Sequence, residues 1–132
     1  NRCRRQRQMC IRDRGNHFQR IISYFSLWTK IENGTCNAHK CLVVKLSAEV
    51  SDLSDPMRQA LHKGAGKVTH TIENCVVGGV EDGSIKVNNS QDAAQNLYSM
   101  WLGASLLSKL SQSSHSLESA LRLTKQVLQG ND

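Results

Sequence analysis

Two cysteines, Cys36 and Cys41, with His39 between them, are the residues whose type and spacing first suggest chemistry in this chain. A thiol attacks electrophiles or binds metal as its thiolate, so what matters is whatever lowers its pKa. Cys41 opens a short apolar run and has Lys40 and Lys45 close by in sequence. At a helix N-terminus the unpaired backbone N–H groups favour a negative charge, and neighbouring ammonium groups add to this. A thiolate so placed adds to electrophiles and is oxidised to a sulfenic acid by hypochlorite or peroxide. The plain alternative is a buried, inert cysteine, the usual state of a free thiol. Cys36 is a candidate resolving thiol.

The same cluster reads as Cys-x-x-His-x-Cys, three donors for zinc. A structural zinc site takes four ligands, generally as two separated pairs, and Cys75 or His70 would have to supply the fourth. The spacing matches no common zinc module, so no metal and no cofactor are expected. The chain has five cysteines (Cys3, Cys10, Cys36, Cys41 and Cys75), an odd count with no secretory signal, which argues against a disulfide scaffold. Two further groupings have a chemical reading. Tyr98, Met100 and Trp101 can line a ligand pocket between helices, although aromatic residues at helical spacing are also ordinary core. Glu49 and His70 would be an acid–base pair, but neither lies in a catalytic motif. A small cysteine-dependent enzyme using Cys41 with His39 or His70 is thus a competing reading, and no enzyme is the expectation.

The elements that must hold these residues are helical. Phe18, Ile21, Ile22, Phe25 and Trp28 lie on one face of a helix that begins near Asn16, and Gly34 is its expected stop. Leu42, Val43, Leu46 and Val50 fit a short second helix, although the Leu-Val-Val run alone could be a strand. Asp55 as N-cap and Pro56 at the first helical position start a third, striped by Met57, Ala60, Leu61, Ala65, Val68, Ile72 and Val76. In it Gly64 and Gly66 either weaken the helix or permit close helix approach, and Gly78, Gly79 and Gly83 end it. A short extended link at 85–87 follows. Asn89 or Ser90 caps a fourth helix over 91–111 that is apolar on two sides, so it needs two partners: the core and a second subunit. The last helix runs over 116–128, with Gly130 as stop. The expected fold is an all-α helical bundle without a sheet.

The chain of 132 residues has a net charge of +6, which invites a nucleic-acid reading. Seven arginines against Asp13 put the whole excess in residues 1–20, and the remainder is neutral. Residues 1–15 lack apolar periodicity, and residues 7–15 resemble translated sequencing-adapter sequence, so this segment is expected to be non-native or a disordered basic arm. Residues 16–132 form the expected domain. No stretch approaches the roughly 20 apolar residues of a membrane helix, and a cytoplasmic location with no membrane partner is expected. The chain begins at Asn1 and reads as a fragment.

Three separated runs carry a family resemblance. Cys-Leu-Val-Val-Lys-Leu-Ser-Ala-Glu-Val (41–50), Met-Arg-Gln-Ala-Leu-His-Lys-Gly-Ala (57–65) and Leu-Tyr-Ser-Met-Trp-Leu-Gly-Ala-Ser-Leu-Leu-Ser-Lys-Leu (97–110) resemble, in order, the NemR-like group of the TetR/AcrR family of transcriptional repressors. With the last helix the likeness covers residues 18–128. It implies a C-terminal ligand-binding and dimerisation domain, homodimeric through its last two helices. Operator DNA would be contacted only through an N-terminal helix-turn-helix domain that this chain lacks. It also implies a small electrophile or oxidant as inducer, sensed by Cys41, with Lys109 matching the lysine that reacts with the oxidised cysteine. Lys40 stands where the pattern has glycine, which changes the loop before the thiol. A family member that binds a non-reactive apolar ligand is the alternative.

Overall fold

The computed structural model describes residues 15–32, 35–36 and 52–130. Helix α1, His17–Trp28, starts where Asn16 accepts the Gln19 N–H on its side chain, satisfying a donor that the first turn leaves open. It ends sooner than the sequence suggests. Thr29 caps it, its hydroxyl donating to the Ser26 carbonyl at 2.7 Å, and Gly34 is not the stop. The chain then forms a two-residue antiparallel ladder, β1 (Ile31–Glu32) and β2 (Thr35–Cys36), with Ile31 opposite Cys36 and Glu32 opposite Thr35. The intervening dipeptide is Asn-Gly, the preferred connection of two-residue hairpins. The same dipeptide is also a helix-stop signal, and the expected absence of any sheet takes this small correction. The short helix expected from Cys41 lies outside the described residues.

Helix α2, Asp55–Asp82, is the longest described. Ser54, not Asp55, is its N-cap, accepting the Met57 N–H, and this places Pro56 in the first turn where its missing N–H costs nothing. Gly78 and Gly79 do not end the helix; Gly83 does, in the left-handed conformation at φ 81°. The glycines permit close approach, but not at the expected positions. A side chain at Gly64 or Gly66 would meet open space, whereas one at Gly79 would run into Ile85. The link through Ile85 is pinned from both sides: its N–H donates to the Gly79 carbonyl at 3.0 Å and the Lys86 N–H to the Leu128 carbonyl at 2.8 Å.

Helix α3, Ser90–Ser111, is capped by Asn89, which accepts the Asp92 N–H at 3.0 Å. Gln112 ends it in the left-handed region at φ 52°, a conformation uncommon outside glycine and asparagine. Helix α4, His115–Leu128, buries Leu117, Ala120, Thr124 and Leu128. Each helix packs mainly on two others: α2 on α1 and α3, α4 on α3 and α1. The four described helices therefore close a ring, and the fold is all-α. No described helix is long and apolar enough to cross a membrane.

Trp101 stands at the centre of the ring, with no exposed surface. It stacks on Phe25 of α1 at 4.6 Å and 7° and meets Trp28 edge-on at 5.8 Å. Its indole N–H donates to the Thr124 hydroxyl of α4 at 2.9 Å, so the one polar atom this ring buries is satisfied. That hydroxyl in turn donates a hydrogen bond to the Ala120 carbonyl at 2.7 Å.

Candidate functional site

An open cleft lies between α1 and α2. A cavity of about 490 Å³ is walled by Ile21, Tyr24, Phe25 and Leu27 on α1 and by Val68 and Ile72 on α2. Four polar side chains complete its lining: Arg20 and Ser23 from α1, Thr71 and Cys75 from α2. The reason is helical register. Residues three and four apart share a face, so Arg20, Ser23, Tyr24 and Leu27 form one edge of α1 while Ile21 and Phe25 turn further into the core.

The charged end of this cleft is wired together. Asp82 accepts the His17 backbone N–H at 3.2 Å, the His17 ring at 2.6 Å through Nδ1, and the Ser84 backbone N–H at 2.9 Å. Bonding to Ser84 and then to His17 holds the Asp82 carboxyl well below the usual carboxylate range. On the other side of the imidazole, an Arg20 nitrogen lies 3.4 Å from Nε2. A guanidinium can only donate, so Nε2 accepts, and the ring proton sits on Nδ1 facing Asp82. Arg20 itself has no ion-paired carboxylate among the described residues, and its Nε is buried without a hydrogen-bond partner. Cys75 is half-buried with its thiol 3.7 Å from the His17 carbonyl. Burial pushes that thiol's pKa up, Arg20 opposes this and Asp82 reinforces it. Cys75 is accordingly a protonated, slow thiol at neutral pH.

The residues singled out in the sequence fall elsewhere. Cys41 and His39, with Lys40, Lys45 and Glu49, lie outside the described residues, and Cys36 is placed as backbone only, in β2. Lys109 is exposed in the last turn of α3, beside Leu110, which is 73% exposed. Tyr98 and Trp101 are buried one turn apart on α3, and Met100 is partly buried against the same core. None of the three lines the α1–α2 cavity. His70 is exposed on α2, 3.8 Å from Glu73. Among the described residues no group of three metal-ligating side chains comes together.

Residues 18–124 match the family model of the tetracyclin repressor-like C-terminal domain. The chain belongs to that family. It is 39% identical over 117 residues to the HTH-type transcriptional repressor NemR of Escherichia coli K12, covering 86% of this chain and 58% of NemR. The repressor DhaR of a Mycobacterium species is 28% identical over 111 residues, covering 83% of this chain and 54% of DhaR. The crystal structure of reduced E. coli NemR superposes with a TM-score of 0.77, covering 86% of this chain and 59% of that one. A regulator of the TetR/AcrR family superposes at 0.73 with 30% identity, covering 93% and 67%. This chain thus spans under three fifths of the curated repressors it matches. Those relatives are transcriptional repressors rather than enzymes.

Within the tetracyclin repressor-like domain, the cleft is what sequence reasoning missed. Ile72, Cys75 and Val76 carried a usable signal, since Cys75 sits on the buried stripe of α2 and marks the edge where that face turns polar. Arg20 carried none: seen in sequence it was one more arginine of a basic N-terminal run.

Proposed function

We propose that this chain is the sensing and dimerisation domain of a cytoplasmic TetR-family repressor that responds to reactive electrophiles or oxidants through Cys41. The observation carrying this reading is the 39% identity to NemR, together with a fold match to a NemR crystal form described by its redox state, reduced. In the proposed mechanism the Cys41 thiolate forms a bond to an electrophilic carbon or is oxidised at sulfur. The sulfenic acid made by hypochlorite or peroxide then condenses with the Cys36 thiol to a disulfide, or with the Lys109 amine to a sulfur–nitrogen bond, releasing water in either case. Dimerisation runs through α3 and α4, a reading supported by apolar side chains left at their surface: Leu107, Leu110 and Leu123 are 55%, 73% and 46% exposed. Operator DNA is bound by a helix-turn-helix part of the full protein, and modification of Cys41 changes the spacing of two such heads across half-sites.

The test is the pH dependence of maleimide labelling at Cys41, resolved by peptide mass spectrometry, with Cys41→Ser as the control. Labelling should reach half its maximal rate well below the pKa of about 8.5 of an unperturbed thiol. A Cys41 that labels no faster than a free thiol sinks the sensor reading.

A further inference from the structure

We infer that the outward face of α2 is a self-complementary contact for a second copy of this chain, the two α2 helices lying antiparallel about a two-fold axis level with the turn His70–Asn74. This contact is separate from the α3–α4 patch and rests neither on that patch nor on Cys41. Ile72, Val76 and Gly79 turn the buried side of α2 to the core, and the opposite side meets solvent. Lys63, Lys67, His70, Asn74, Val77 and Glu81 follow one another there at spacings of four and three residues, so they share one face, and all six are exposed. The face changes character along its length, with two ammonium groups towards its start and a carboxylate at its end.

That order is what a two-fold contact needs, because such a contact sets the patch against itself. In the antiparallel register, Lys63 of one copy falls opposite Glu81 of the other, Lys67 opposite Val77, and His70 opposite Asn74, each pairing occurring twice. The aliphatic stem of Lys67 covers the exposed Val77 and leaves its ammonium near Glu81. Val77 and the exposed Val80 straddle the level of the other copy's Gly66, where a Cβ would meet nothing in its own chain, so the helices can close up there. Glu81 also gains a partner it lacks. It lies in the last turn of α2, where the helix dipole disfavours a negative charge and no basic residue offsets it. Among the described residues none of Lys63, Lys67 and Glu81 forms an ion pair. A parallel pair would set like charges together, and a polyanion on the lysines would be repelled by Glu81 and leave both valines bare. Exposed ion pairs are individually weak, so the contact is weak and salt-sensitive.

The experiment is sedimentation velocity of the full chain over a range of concentrations, under reducing conditions. It is run on the chain carrying Leu107→Glu and Leu110→Glu, which takes the apolar patch of α3 out of play and leaves the α2 face to be read alone. That chain should self-associate reversibly, and less so as salt rises from about 0.05 M to about 0.5 M. Adding Glu81→Lys, or Lys63→Glu with Lys67→Glu, should weaken the association about tenfold or more, with helicity unchanged by circular dichroism. The decisive measurement mixes these two variants in equal amounts. Each offers the other opposite charges at both ends of the contact, so the mixture should associate where neither variant does alone. A chain that stays monomeric at every concentration, association indifferent to the charge reversals, or a mixture no better than its components would each overturn the assignment. Maleimide labelling of Cys41 is independent of all of these readouts.

Discussion

The α3–α4 side of the ring and the α1–α2 side handle polar groups in opposite ways. Between α3 and α4 the buried hydroxyls are closed off within the protein: Ser105 donates to the Trp101 carbonyl at 2.6 Å, Ser108 to the Ser113 carbonyl at 2.7 Å, and Thr124 serves Trp101 and Ala120 at once. Between α1 and α2 an arginine nitrogen is buried without a partner beside an open cavity. Burying an unsatisfied polar group is costly, so proteins keep it where something else needs it. The first joint satisfies its buried polar groups internally, and the second leaves one unsatisfied.

The sharpest way to break that contrast is to cut one aromatic from each side. Trp101→Ala removes the ring that ties α1, α3 and α4 together and the N–H that Thr124 accepts, so it should cost about 3–5 kcal/mol in urea unfolding. Tyr24 lies on the cavity wall, 40% exposed, edge-on to Phe25 and Trp28. Tyr24→Ala should cost only about 1 kcal/mol, the worth of such ring contacts. Comparable losses would mean that the cleft is part of the load the core carries.

A smaller effect separates the two ends of α2. Gly79 is buried against Ile85, and Ile85 cannot retreat easily because its own N–H is bonded to the Gly79 carbonyl. Gly79→Ala should lower stability, since overpacking of about 1–3 kcal/mol outweighs the helix-propensity gain of about 1 kcal/mol. Gly64 is exposed with nothing around it, so Gly64→Ala should raise stability by about 1 kcal/mol. Thermal melts of the two variants should move in opposite directions.

Much of this was legible because helices are written in periodicity. The apolar stripes placed α3, α4 and the start of α2 within one or two residues, while α2 runs on past Gly78 and Gly79 to Asp82. What was not legible depends on contacts between elements. Sequence offers no way to know that Ile85 folds back on Gly79 rather than that Gly64 meets a helix, because the two glycines look alike in a helical run. On α3 the apolar Leu107 is exposed while Ser105 and Ser108 are buried, since the hydroxyls can bond back to the backbone and go inside. The Arg20 cleft needed α1 and α2 side by side, 50 or so residues apart in the chain. Of the candidate sites, Tyr98 and Trp101 are placed firmly in the core, and Lys109 at the surface.

The smallest effect distinguishes the two joints by charge. Asp82, bonded by Ser84 and His17, has its pKa depressed in the folded chain, whereas in the unfolded chain it titrates near the ordinary value of about 3.9. The folded state therefore binds that proton less readily than the unfolded one. The stabilisation is complete above about pH 4 and is lost as the pH falls through the depressed folded value. Asp82 is solvent-accessible, so the slope should be shallow. Urea midpoints measured from neutrality to about pH 3 should fall more steeply for the native chain than for Asp82→Asn, which keeps an acceptor but carries no charge. The Trp101–Thr124 joint is neutral on both sides, so a Thr124→Val chain should lose stability by the same amount at every pH. If the Asp82→Asn and native curves run parallel, the Asp82 charge does not hold α1 to α2.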